Sequence, residues 1–337
     1  MLSNFALAAA LIATQAPDAK PREQILVVSQ AEHHLSILDA ATLEIEAQVP
    51  TPQGPHEVVG TADGRTAYVM NYGGQTPGRT ISVIDPLAGK EVERWDLGAL
   101  RRPHGVARVG NHLWTTVELN NAIARIDLTT GEVDRVFGHG QRIGHMLALD
   151  PASERVFVAN MLSSSVSVIE TALRPGLGTV RTVEVPEQPE GIALTPDGSE
   201  LWLGHRTGGH VTVIDTESLE ILSSIDFGGF AYRLAPTPDG KHMLGTCNAT
   251  GELVLMDVET HAVARRLPVG LAPAGFALSP DGTHAAVSLL ADSTVVIVDL
   301  NTGELRKSAP TGASPDGIAW TRIEPPAVEA PAEAAGD

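Results

Sequence analysis

The chain has 337 residues, 43% of them hydrophobic, and a single cysteine, so it can build a sizeable core but no intrachain disulfide. Its formal charge of −18 argues against a nucleic-acid partner, because that affinity rests on Lys and Arg neutralising phosphates. Thirty-three glycines and 23 prolines without a collagen period suit a turn-rich all-β protein.

In chain order, the first feature is an apolar run from Phe5 to Ala13, followed by Thr14-Gln15-Ala16. It is too short to span a bilayer and ends in small residues, so residues 1–20 read as a secretory signal, although no Lys or Arg precedes the run. The expected location is periplasmic or secreted, with no membrane span elsewhere. Residues 24–323 carry the fold. From Glu324 the sequence EPPAVEAPAEAAGD is acidic and rich in Pro and Ala, the composition of a disordered tail over 324–337.

Between these ends the chain repeats. The segment Arg102–Phe137 shows the unit: short apolar runs at Val106–Val109, Leu113–Val117, Ile123–Leu128 and Val133–Phe137, separated by Gly, Asn and Thr-Gly turns. Runs of this length bounded by turn residues are the signature of strands and hairpins. Equivalent starts are PHEV, PHGV, GHML, PEGI, AYRL, PAGF and PDGI, whose second residues fall at 56, 104, 145, 190, 232, 274 and 316. The intervals are 48, 41, 45, 42, 42 and 42. Most units also carry an Asp-Gly turn (Asp63, Asp197, Asp239, Asp281) and a third strand ending in an acid: Asp85, Asp127, Glu170, Asp215, Asp257 or Asp299.

A period near 42 with four strands per unit predicts a β-propeller. The chain starts out of phase: Ile25–Asp39 supplies second and third strands and Leu43–Val49 an outer one. The missing inner strand is Ser314–Ile323, at the other end. The expectation is an all-β, seven-bladed propeller of four-stranded antiparallel blades, with both termini sharing blade 1.

YVMNYGGQTPGRTISVID (68–85) and VFVANMLSSSVSVIE (156–170) resemble YVTN-type propeller repeats, found in exported bacterial and archaeal proteins. The resemblance covers about residues 24–323 and implies the fold more than a function. Blade 3, with PHGV and LW followed by VELNNAIARID, is closer to repeats of the streptogramin B lyase group. There a His/Glu pair, here His104 and Glu118, is implied to hold a metal and move a proton.

The antiparallel order places the seven second residues around one mouth of the channel: Asp316, His56, His104, His145, Glu190, Tyr232 and Ala274 in blade order. Second-strand ends add Asn71, Glu118, Asn160, His205 and Asn248 to that face. One histidine at such a position is ordinarily a satisfied structural group. Three in successive blades, flanked by carboxylates, form a candidate divalent-metal site of His56, His104, His145 and Glu190. Imidazole and carboxylate without thiolate admit zinc, iron(II), manganese or copper(II). Two functions follow: binding of a metal or small ligand without turnover, or metal-dependent hydrolysis, lactone opening or elimination with His104, Glu118 and His56 as catalytic residues. A protein-interaction scaffold is the third. Arg233 reads as a rim ion pair or a clamp for a substrate carboxylate, and Cys247 as a small buried hydrophobe.

Overall fold

In a computed structural model, residues 21–150, 155–171 and 179–324 are described. They form seven four-stranded antiparallel sheets and one 3-10 turn at Glu118–Asn120. The expected signal at 1–20 and the tail from 325 onward lie outside the described residues. No helix among those described is long and apolar enough to cross a membrane.

Each sheet is one blade, and six of them run inner to outer in chain order; blade 2, for example, is Pro55–Gly60, Ala67–Gly73, Pro77–Asp85 and Lys90–Asp96. Blade 1 is shared as expected. The terminal strand Pro315–Ile323 pairs antiparallel with Arg22–Ser29, Ile25 lying opposite Trp320 and Arg22 opposite Ile323. This pairing covers the backbone edge of a strand whose Leu26 and Val27 are fully buried.

Second and third strands are buried on both faces because a blade lies on either side of them. Val156–Asn160 and Leu201–His205, for example, are buried throughout. Outer strands have only one covered neighbour and alternate, as Val133–Gly138 does. The apolar residues sort into seven clusters, one at each blade–blade interface. Trp202 and Phe227, fully buried, sit together in the interface of blades 5 and 6. The acids that end the third strands tie the next turn: Asp215 Oδ1 accepts from the amides of Glu217 and Ser218, and Asp299 Oδ1 from those of Asn301 and Thr302.

One local irregularity positions the channel mouth. In blades 2 to 7 the pairing of inner and second strands slips just after the first residue; Pro103 faces Val117, but Val106 faces Thr115. Such a bulge frees the second residue from the ladder and, in blades 3 to 7, the third as well. In three interfaces a hydroxyl captures the freed carbonyl of the next blade: Thr116 bonds His145 O at 2.8 Å, Thr246 bonds Ala274 O at 2.6 Å, and Ser288 bonds Asp316 O at 2.8 Å. The third residue then presses on the neighbouring inner strand. A Cβ at Gly275 would lie 2.4 Å from Asp316 O, and one at Gly317 2.4 Å from His56 O, so glycine is required there.

Candidate metal and ligand site at the channel mouth

The seven expected residues occupy the second position of each inner strand, and six of them join in a chain of contacts around the mouth. Tyr232 donates to Asp316 at 3.1 Å. Asp316 Oδ2 lies 3.0 Å from His56 Nδ1. His56 Nε2 and His104 Nε2 are 3.1 Å apart. The His104 ring stacks on His145 with centroids 4.0 Å apart, and His145 Nε2 meets Glu190 Oε1 at 3.0 Å. Ala274 offers only a methyl group, and Tyr232 of blade 6 reaches past blade 7 to Asp316 of blade 1.

The three histidines are in different states. His104 Nδ1 lies 3.2 Å from the carbonyl oxygen of His145; a carbonyl only accepts, so this nitrogen carries the proton and Nε2 is a lone pair. Burial, then the charges of His56 and His145, hold His104 well below the usual imidazole value. Burial also lowers His56, against the pull of Asp316. His145 differs. Burial alone would lower it, but Glu190 at 3.0 Å and Glu118 at 2.7 Å outweigh that and hold it up to about 10. It is an imidazolium with both nitrogens engaged. Burial pushes Glu190 the other way, and His145 more than offsets it.

Behind Glu118, which the sequence had placed on this face, lies a layer that it did not predict. Glu118 Oε2 accepts from the Tyr72 hydroxyl at 2.6 Å, and that oxygen accepts from Arg102 Nη1 at 2.8 Å. The Tyr72 ring stands edge-on to both His56 and His104, with centroids 5.3 Å away in each case. Burial, with Glu118 beside it, raises the Tyr72 hydroxyl and keeps it a donor. Glu57 follows His56 where the ladder resumes opposite Met70, with Oε1 3.7 Å from His56 Nδ1. Its carboxylate pairs with Arg233 of blade 6. Arg233 is thus neither a rim residue nor an open clamp: it is 9% exposed and spans the channel to blade 2.

Two signals for these residues were present in the sequence. Four of the seven third positions are glycine (105, 191, 275, 317), and Glu57 and Arg233 are the charged departures. The second-strand ends were read in a mixed register. Asn71, Asn160 and His205 turn into their own blades, bonding Ser82, Ser167 and Thr212. The next residue along faces the mouth, as Tyr72, Glu118 and Arg206 do, because successive strand side chains point to opposite faces.

Among the described residues, two clusters have donor atoms within reach of one ion: His56, Glu57 and His104, and His104, Glu118 and His145. In the second, both His145 nitrogens and both Glu118 oxygens already have partners. In the first, His104 Nε2 and His56 Nε2 face each other.

The molecule is therefore a seven-bladed β-propeller with a His/carboxylate network at one mouth of its channel. No family model matches the chain, and no curated protein matches it. Solved structures do. The periplasmic gluconolactonase PpgL of Pseudomonas aeruginosa superposes with a TM-score of 0.73 at 20% identity, over 90% of this chain and 100% of that one. A putative 6-phosphogluconolactonase from Bacteroides uniformis gives 0.72 at 15% identity, over 90% and 100%. Hydrazine synthase of Kuenenia stuttgartiensis gives 0.67 at 18% identity, over 79% and 89%. Similarity at these identities establishes the fold.

Proposed function

We propose that the protein binds a divalent metal ion at the channel mouth, with His56 Nε2 and His104 Nε2 as nitrogen ligands and a position left for a small molecule. One observation carries this reading. The His145 carbonyl fixes the proton of His104 on Nδ1, and the Asp316 carboxylate, 3.0 Å from His56 Nδ1 but not aligned for a hydrogen bond, favours the proton of His56 on that nitrogen by its charge. Two lone pairs then face each other at 3.1 Å. A shared proton would relieve them, but burial disfavours a charged ring at both. A cation relieves them without protonation. Two imidazoles on tetrahedral zinc have nitrogens roughly 3.3 Å apart, from Zn–N distances of about 2.0 Å. Carbonyl and carboxylate partners on the far nitrogens are the usual outer partners of metal-bound histidine.

Glu57 is the carboxylate that clusters with this pair within reach of one ion. His145 and Glu190, the other two expected ligands, take a supporting part in this reading: a fixed imidazolium stacked on His104 keeps that ring neutral. With residues 1–20 as a secretory signal, a YVTN-like exported protein is the corresponding cellular reading.

Hydrolysis of a lactone is the second reading, favoured by the lactonase names among the similar structures. A bound divalent ion would polarise a carbonyl and acidify water. In this reading only one of His56 and His104 would hold the ion; the other, neutral, buried and not ligating, would be the base, and Glu118 would act through Tyr72 and His145.

Calorimetric zinc titration of the metal-depleted full chain tests the first reading. One ion per chain is expected, lost in His56→Ala and His104→Ala while circular dichroism stays unchanged. Absence of uptake, or uptake undiminished in His104→Ala, refutes it. Turnover of gluconolactone, abolished in the same variants, would add catalysis to binding.

A further inference from the structure

We infer that Thr116 is a positioning residue for the histidine pair: its buried hydroxyl, acting through the carbonyl of His145, decides which nitrogen of His104 carries the proton. The tautomer follows from the hydrogen bonds alone; its consequence for an ion rests on the reading above.

Thr116 is fully buried in the strand His112–Val117. Its Oγ1 accepts from the Gly105 amide at 2.9 Å, so its one proton goes to the His145 carbonyl oxygen at 2.8 Å. His104 Nδ1 donates to the same oxygen at 3.2 Å. Two donors thus take the two lone pairs of one carbonyl. Together they hold a peptide group that the strand ladder leaves free, since the pairing passes from Gly144 opposite Asn160 to Leu147 opposite Val158. Gly105 admits the close approach: a Cβ there would lie 2.7 Å from that oxygen.

The other tautomer has a partner waiting. With its proton on Nε2, His104 would donate to His56 Nε2 at 3.1 Å, and neither Nε2 would be left for an ion. The fixed carbonyl opposes that state, because it would then face a lone pair on Nδ1, acceptor against acceptor. Once the Thr116 hydroxyl is gone, the peptide can turn away and the obstacle goes with it. Similar clips stand at two other seams, where Thr246 holds Ala274 and Ser288 holds Asp316. Of the three, only the Thr116 clip shares its carbonyl with an imidazole. Thr246 is the closer match, accepting from the Arg233 amide at 3.2 Å and donating to Ala274 O at 2.6 Å. It is therefore the control for a merely structural role.

The test uses the full chain with isotope-labelled histidine. Long-range proton–nitrogen correlation spectra of EDTA-treated protein at neutral pH read the tautomer of His104, whose signals are those missing from His104→Gln. Zinc calorimetry and urea melts complete the set. In the parent the proton should sit on Nδ1. In Thr116→Val it should move toward Nε2, and zinc affinity should fall roughly ten- to a hundredfold, the usual worth of the partner on the far nitrogen of a metal-bound histidine. Thr116→Ser should restore both. Thr246→Val should lower the urea midpoint comparably and leave tautomer and zinc affinity as in the parent. A proton on Nε2 in the parent, a proton still on Nδ1 in Thr116→Val, or the same loss of zinc affinity in Thr246→Val overturns the inference. Thr116→Ala and the parent spectrum decide it should the valine variant not fold. A tautomer that moves in Thr116→Val of a protein that takes up no zinc supports the inference and sinks the metal reading alone.

Discussion

Replacing Arg233 by Met should be the most informative single change, because it cuts the contact that crosses the channel. Arg233 and Glu57 are 9% and 7% exposed, so removing the guanidinium strands a carboxylate in the interior. Breaking a buried pair from one side costs about 3–5 kcal/mol, whereas removing both charges is often neutral. With an unfolding entropy of roughly 2.1 cal/mol/K per residue over ~300 ordered residues, that cost corresponds to a fall in Tm of about 5–8 °C. Glu57→Gln alone should be comparably destabilising, and the double variant Glu57→Gln/Arg233→Met close to the parent. His56 provides an internal check. The Arg233 charge is one of the causes that lower its pKa, so in Arg233→Met that pKa rises. A raised folded-state pKa adds stability at low pH and loses it as pH rises, so the deficit should be smaller at pH 5 than at pH 8. Thermal and urea melts of the four proteins at both pH values make the measurement. Single variants that lose less than about 1 kcal/mol, with no coupling in the cycle, would show that the pair behaves like an exposed one, and the argument from burial would fail.

The remaining predictions concern the network, the seam, the thiol and the metal. His145 is held up to about 10, above the unfolded value of 6.5. Its contribution is therefore complete below pH 6.5 and lost as pH climbs through 10; denaturant midpoints should decline over that window and flatten in His145→Gln. Ending the chain at residue 312 removes the inner strand of blade 1, and the product should elute as aggregate on size exclusion. Cys247 is fully buried and should react with a thiol reagent only after denaturation. Zinc at a hundredfold excess over its dissociation constant should stabilise the parent by about 2.7 kcal/mol and leave the Tm of His104→Ala unmoved.

Most of the architecture was legible because a repeat states itself seven times. The column at 56, 104, 145, 190, 232, 274 and 316 aligns without gaps on short motifs, and antiparallel order alone puts it at one mouth. What escaped reading was whatever occurs once. Glu57 and Arg233 are 176 positions apart and meet only because the ring brings blades 2 and 6 face to face. Tyr72 and Arg206 were lost to a one-residue error in the second strand, which inverts the face a side chain occupies. The state of His145 was also out of reach, since two carboxylates on one imidazole can be distinguished from four ligands on one ion only by distances. Cys247, by contrast, is the small buried residue that its place in an apolar strand suggested.

The ring is joined without a covalent bond at blade 1, so that sector is where fraying should begin. Two long-reach contacts of blade 6 bear on it, each passing over blade 7: Tyr232 holds the C-terminal strand of blade 1 through Asp316, and Arg233 crosses the joint to Glu57 of blade 2. The second acts as a latch across the joint, and the chemistry that shapes the mouth thereby also keeps the wheel shut. Amides of the Arg22–Ser29 strand should exchange faster with deuterium once Arg233 is gone, even though that residue touches neither terminus.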